Sequence, residues 1–232
     1  MSESFDNEKI LGKIKSLLKS LLEEKHTESI SDTFYKTYLQ ILALFDDFVA
    51  IYMKLNGHNT TCSKGCGNCC NHWAYDVYSF EAQIIANHLI NNNADISLII
   101  ESITEDEAVF HKLETAVKQK AKELEAENID QQDALLSAFY LMNRPCEFLN
   151  AQGACSIYAI RPMICRAFLN TTDPKNCIHE NMFNDESTLI IKLDDECENI
   201  LDALHVKYGG SDLGLRSQVK KYLELGNQPA LL

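Results

Sequence analysis

The sequence predicts a mainly α protein: a helical array around an irregular, cysteine-rich metal-binding centre, with one short β-hairpin. Three observations carry this expectation. Apolar residues recur at intervals of three and four along most of the chain. Eight of the nine cysteines fall into two groups, Cys62, Cys66, Cys69 and Cys70, then Cys146, Cys155, Cys165 and Cys177. Two short β-like runs, 146–149 and 155–158, flank a turn that contains Gly153.

The elements follow in order. Ile10, Ile14, Leu17, Leu18, Leu21 and Leu22 form one apolar stripe, with Lys9, Lys13, Lys15 and Lys19 largely between them. This is an amphipathic helix ending near Lys25. Ser31 is the N-cap of a longer helix through Tyr38, Ile41, Leu44, Phe45, Phe48 and Ile51 towards Gly57. Both helices read as core packing. The first mixes glutamate with lysine and has no tryptophan, which argues against a membrane-surface role. Residues 57–75 read as a cysteine loop. A helix resumes after Ser79, through Ala82, Ile84, Ile85 and Leu89, and stops in Asn91, Asn92 and Asn93. Asp95 opens a short apolar helix through Ile103. Thr104 and Glu107 read as a capping box that launches a separate charged helix to about Glu127. Asp130 or Gln131 starts another, which ends before Pro145. Pro162 punctuates the chain, since proline disfavours helix at the residue before it. A late helix carries Leu189, Leu193, Cys197, Ile200, Leu201 and Leu204 on one face and closes at Gly209 and Gly210. A last helix spans 212–226. The expected division is an N-terminal helical segment, 1–56, and a cysteine-cluster domain, 57–232, with a helical insert at 79–143.

Composition narrows the function. The chain has 232 residues, 46% hydrophobic and 24% charged, as in an ordinary globular protein. With 21 basic and 34 acidic residues, the net charge of −13 repels phosphate. No basic stripe is visible, so nucleic acid is not an expected partner. No run approaches the ~18 apolar residues of a membrane span. The opening MSESFDNEKI lacks the basic start and apolar run of a signal peptide. The expectation is a cytoplasmic protein without membrane contact; its partner, a protein or a small molecule, is not specified. In a reducing compartment, clustered cysteines read as ligands rather than disulfides. Adjacent cysteines such as Cys69 and Cys70 would bridge to each other only with strain.

Thiolate selects zinc, copper(I) or iron–sulfur clusters. The spacing C-x3-C-x2-C-C lets several sulfurs converge through tight turns. Gly65 and Gly67 flank Cys66, permitting left-handed backbone and leaving amides free to face sulfur. Adjacent sulfurs rarely serve one tetrahedral ion. Cys70 therefore faces a different centre from Cys69, or lines the site without ligating. Eight thiolates divide into two four-sulfur sites. Lys64, Arg161 and Arg166 could offset their charge and contact the cofactor, or form ordinary salt bridges. His72 and His179, each two residues past a cysteine, could replace a sulfur. With eight thiols sufficient for two closed sites, loop histidines are the preferred reading. Trp73 reads as packing over the cluster loop, and Cys197 as core.

The cysteine string, with Pro145-Cys146, Gly153-x-Cys155-Ser-Ile-Tyr158 and Arg161-Pro162-x-x-Cys165, resembles the YkgJ-type cysteine-cluster family. That family is described as chelating zinc or iron and is often labelled an iron–sulfur oxidoreductase. The resemblance covers 62–70 and 145–177 and implies that the eight clustered cysteines are the ligands. Bacterial flagellin lysine-N-methylases look similar in the cysteine region, implying methyl transfer from S-adenosylmethionine to a protein lysine. Cys62, Cys66 and Cys69 also have the spacing of radical S-adenosylmethionine enzymes. Against that, Asn68 replaces the usual aromatic, and the strand–helix alternation of that barrel is missing. The functional expectation is a metal-binding protein holding an iron–sulfur cluster or zinc, with a redox or methyl-transfer reaction as one outcome. The alternative is a structural zinc protein or an interaction module without catalysis. Thiol-only ligation tips the reading slightly towards iron–sulfur.

Overall fold

Capping and apolar spacing set most boundaries of this fold. The computed structural model describes residues 2–25, 29–123, 130–172, 177 and 188–226. The first helices are α1, Ser2–Glu23, and α2, Asp32–Leu55. Ser31 caps α2 as expected, its Oγ accepting the Phe34 N–H at 3.0 Å. Helix α3 is Ser79–Asn91, and Glu81 folds back to accept the Tyr78 N–H at 3.1 Å. Helices α4, Ile96–Glu123, and α5, Gln131–Leu141, follow; Asp130 caps α5. Then come α6, Met163–Ala167, and two strands, β1, Phe168–Asn170, and β2, Thr188–Ile190. Helices α7, Asp195–Lys207, and α8, Leu215–Gly226, close the order. The mainly α class is confirmed. No helix among the described residues is long and apolar enough to cross a membrane.

Helix α1 packs on α2 and α7, α3 on α8 and α7, and α4 on α5 and α8. The main core runs through Ile14, Leu18, Phe34, Tyr38, Phe80, Cys197 and Leu204. Phe34, Tyr38, Phe80 and Tyr208 meet there ring against ring, centroids 4.9 to 6.4 Å apart. A smaller cluster of Trp73, Phe110, Leu135 and Phe139 lies under α4 and α5.

Three expectations are corrected. The two helices read on either side of Thr104 are one, because nothing there breaks the helix. The Thr104 hydroxyl donates back to the Ile100 carbonyl at 2.7 Å instead of capping, and Ile103, Asp106 and Phe110 continue one buried face. Leu189 lies in β2, not in α7; Asp194 caps that helix and accepts the Cys197 N–H at 3.0 Å. The last helix begins at Leu215 rather than Asp212. The expected reversal at 146–158 is present as a bridge between Leu149 and Cys155. Ser156 N–H bonds the Phe148 carbonyl at 2.7 Å, and Gly153 takes the left-handed turn position at φ +73°. The paired strands are β1 and β2, antiparallel, with Phe168 opposite Ile190 and Asn170 opposite Thr188.

Candidate metal centre

The first cysteine loop is held by its own backbone. Cys66 N–H bonds Ser63 O at 3.0 Å, Cys70 N–H bonds Gly67 O at 3.0 Å, and His72 N–H bonds Cys69 O at 3.1 Å. These form a tight 3-10 turn over Asn68–Asn71. The second segment joins it through backbone: Cys146 N–H donates to Cys70 O at 2.8 Å. Gly67 allows the close approach. A Cβ there would sit 3.1 Å from the Gly153 carbonyl oxygen. Cys165 arrives on α6, whose first amide, Met163 N–H, is bound by the Glu81 carboxylate at 2.8 Å. Glu81 is 2% exposed and also accepts the Tyr38 hydroxyl at 2.6 Å. One buried carboxylate therefore ties α2, α3 and α6 together behind the cysteines.

Six sulfur-bearing side chains, Cys66, Cys69, Cys70, Cys146, Cys155 and Cys165, line one cavity of about 80 Å³. Cys62 and Cys177 lie outside this wall. Cys62 Sγ accepts the Asn170 N–H at 3.3 Å. The Cys177 carbonyl accepts the Tyr140 hydroxyl. Among the described residues, no three His, Cys, Asp or Glu groups stand in an arrangement that could hold a metal ion. The sulfurs share a wall rather than a point. Each turns about a single torsion with three wells, so rotation alone moves a sulfur by roughly 3 Å.

The thiols influence one another. Cys69 is pushed above the ordinary thiol range, first by its hydrogen bond with Cys70 and then by burial. Burial raises Cys146, with Glu147, Cys165 and Cys155 adding to it. Burial raises Cys165 as well, followed by Cys69, Glu81 and Cys155. Cys155 is raised by burial, with Cys69 adding to it. Cys177 is pushed up to about 11 by burial, then by Cys62, Cys66 and Cys69. Thiols of this kind ionise against a nearby cation, and a soft metal that displaces the proton supplies one. Arg161 favours that ionisation at Cys69, Cys155 and Cys165.

The two arginines singled out from sequence differ in place. Arg166 is 5% exposed and committed to protein groups: the Asp46 carboxylate, the Ala159 carbonyl at 2.7 Å and the Arg161 carbonyl at 3.1 Å. It shapes the backbone at the cavity rim. Arg161 lines the cavity and lies 4.2 Å over the Tyr158 ring, and its buried Nε has no hydrogen-bond partner among the described residues. Lys64 reaches the same ring at 5.8 Å. His72 also lines the cavity, stacked on Tyr140 at 4.1 Å, and burial lowers its pKa to about 4. His179 lies outside the described residues. Trp73 stacks on Phe110 at 4.4 Å, in the smaller apolar cluster. Cys197 is fully buried, as expected of a core residue.

Sequence reasoning passed over Arg216, Glu81 and Glu147. Arg216 is 2% exposed and lines the cavity; burial lowers its pKa to about 10, which a charge on Cys70 opposes. Its guanidinium binds the Asp106 carboxylate and the Arg144 carbonyl, 3.0 Å away, and lies 3.5 Å from Glu147. The available signal was a charged residue beside the apolar stripe Leu215, Val219 and Leu223. Glu81 gave the same signal inside Phe80-Glu-Ala82.

Residues 61–198 match the CxxCxxCC family, described as “Putative zinc- or iron-chelating domain”. The chain belongs to this family. The CxxCxxCC match spans both cysteine groups, so the resemblance read from the cysteine string is borne out. Comparison with curated proteins and with solved structures finds no match.

Proposed function

We propose that this protein chelates metal through its clustered thiols, with iron–sulfur ligation as the first reading and zinc as the second. The observation that carries the proposal is the meeting of six cysteine side chains, from two segments far apart in sequence, on one cavity. The proposed ligands are Cys62, Cys66, Cys69, Cys70, Cys146, Cys155, Cys165 and Cys177. Cys146 and Cys165 each feel Cys155, and Cys155 and Cys165 each feel Cys69, on the wall these four share.

The bound group would supply a soft Lewis acid or, as an iron–sulfur cluster, a one-electron carrier. The chain's own residues do the rest. Arg161, on the same cavity wall, favours negative sulfur at Cys69, Cys155 and Cys165 and would offset its charge. The Asn170 N–H does the same for Cys62. Phe148, Ile157 and Leu215 keep water from the inner wall. The all-thiolate donor set favours iron–sulfur. A closed four-sulfur site would favour zinc, since it leaves no open position for catalysis.

Metal and acid-labile sulfide analysis of protein purified without oxygen, with an absorption spectrum, tests the proposal. Iron with matching sulfide supports the first reading; zinc without sulfide supports the second. Absence of stoichiometric zinc or iron after reconstitution overturns both.

A further inference from the structure

Helix α6 presents Cys165 to the thiol cavity and Met163, Ile164 and Ala167 to a second, larger cleft of about 620 Å³. Sites for small molecules commonly have volumes of about 300–1,000 Å³. The floor of this cleft is apolar and buried: Met163 and Ala167 lie there with Phe45 of α2 and Ile191. The rim is acidic. Asp76, Glu198, Asp202 and Asp212 line it against one lysine, Lys192, among the described residues. His205, also on the lining, brings no charge, because its Nδ1 accepts the Ser79 N–H at 2.8 Å.

Helix α7 places two of the acids. Glu198 and Asp202 stand one helical turn apart, a rise of about 6 Å. Glu198 is held in position, accepting the Tyr78 hydroxyl and the Leu193 N–H, each at 3.2 Å. Among the described residues, the side chains of Asp76, Asp202 and Asp212 form no hydrogen bond or ion pair. Like charges one turn apart repel, so a cation that bridges them is favoured. The apolar floor adds a second requirement. A hydrated metal ion satisfies the carboxylates and leaves the floor uncovered, whereas methylenes between two charges cover it. Tyr75 and Tyr78, both on the lining, add rings of the kind that attract ammonium.

We propose that this cleft binds a linear aliphatic polyamine. Two ammonium groups about 6 Å apart lie on Glu198 and Asp202, and the methylenes between them lie on the α6 floor. Asp76 and Asp212 attract any further ammonium group. The site needs no metal at the thiols, so it stands apart from the chelation reading.

The test titrates spermidine into the full chain at physiological salt, read by calorimetry and by methionine-methyl NMR. One spermidine per chain should bind saturably. The Met163 methyl signal should shift, and that of Met53, in the core and off the cleft lining, should stay. n-Butylamine, with a single ammonium, should bind about fivefold more weakly or less well still. Asp202→Asn should weaken spermidine binding by about fivefold, and Asp202→Asn with Asp212→Asn further. Both aspartates are exposed, so these variants should fold as the wild type does. Glu101→Gln, exposed on α4 and off the lining, should leave affinity unchanged. No saturable binding at millimolar spermidine overturns the proposal. Wild-type affinity in the double aspartate variant overturns it too, as does a Met163 signal that never moves. Displacement of spermidine by magnesium chloride at equal ionic strength would show attraction by charge alone and overturn it. A lysine-rich peptide that binds where spermidine does not would assign the cleft to a protein segment and also overturn it.

Discussion

Replacing Arg216 with methionine keeps much of the side-chain volume and removes a buried charge. The side chain is 2% exposed and its guanidinium lies over Trp73 at 5.4 Å and Phe139 at 5.1 Å. It neutralises Asp106 and Glu147, whose side chains are 4% and 2% exposed. Asp106 keeps Arg144, but among the described residues Glu147 has no hydrogen-bond partner for either oxygen. Burial has already pushed the Glu147 carboxyl up to about 7, so removing the nearby cation leaves it worse placed. Breaking a buried pair from one side costs about 3–5 kcal/mol. That is a large share of a total stability of about 5–15 kcal/mol. For a chain of this size each kcal/mol moves Tm by about 2–4 °C, so Arg216→Met should lower Tm by about 6–20 °C. Calorimetry of the metal-loaded protein measures it. Adding Glu147→Gln to Arg216→Met should restore part of the loss, because a neutral amide no longer needs the guanidinium. A Tm within about 2 °C of wild type, or a further fall on adding Glu147→Gln, would refute the reasoning.

Three other outcomes are expected. In Gly214→Ala the new Cβ would stand 2.7 Å from Trp73 Cδ1 and 2.9 Å from the Ala74 carbonyl oxygen. Overpacking of this kind costs about 1–3 kcal/mol, and urea unfolding at wild-type stability would contradict it. His205 is lowered by burial and by Lys221, against the pull of Asp202 and Asp212, and its Nδ1 accepts the Ser79 N–H at 2.8 Å. Because its folded pKa lies below the unfolded value of about 6.5, its contribution is complete above that pH and is lost as pH falls through the folded value. His205→Asn should therefore flatten the loss of stability between about pH 7 and 5, and an unchanged slope in unfolding midpoints would count against this. Cys197→Ser should leave metal content at the wild-type value, since that sulfur is fully buried in the helical core; metal analysis showing a loss would reassign it.

The cysteine wall was largely legible because ligand spacing is local and thiols are rarely used otherwise. Ser31 and Asp130 were legible for the same reason, since a cap acts within three residues. The join between Asp95 and Glu107 was misread because a capping-box pattern competes with a continuous apolar face, and burial of Ile103 and Phe110 decided it. Pairing of β1 with β2 depends on chain segments brought together only by the fold. Arg216 and Glu81 lay beyond reach for a related reason. A charged residue in an apolar helix reads as surface until its partners, Asp106 for one and Tyr38 with Met163 for the other, arrive from distant segments.

The hydrogen bond from Cys146 N–H to Cys70 O closes a long loop, residues 71–145, between two main-chain atoms. Closing a loop of that length costs about 4 kcal/mol in chain entropy. A metal ion that alone gathered the two segments would lose that much from its affinity. Here the polypeptide's own hydrogen bond shares the gathering, so the free energy of thiolate coordination goes further towards holding the ion. Apart from proline at 146, which lacks the N–H, no substitution deletes this bond between two peptide groups. Serine in place of a cysteine should thus change the occupancy of the centre more readily than the course of the chain around it.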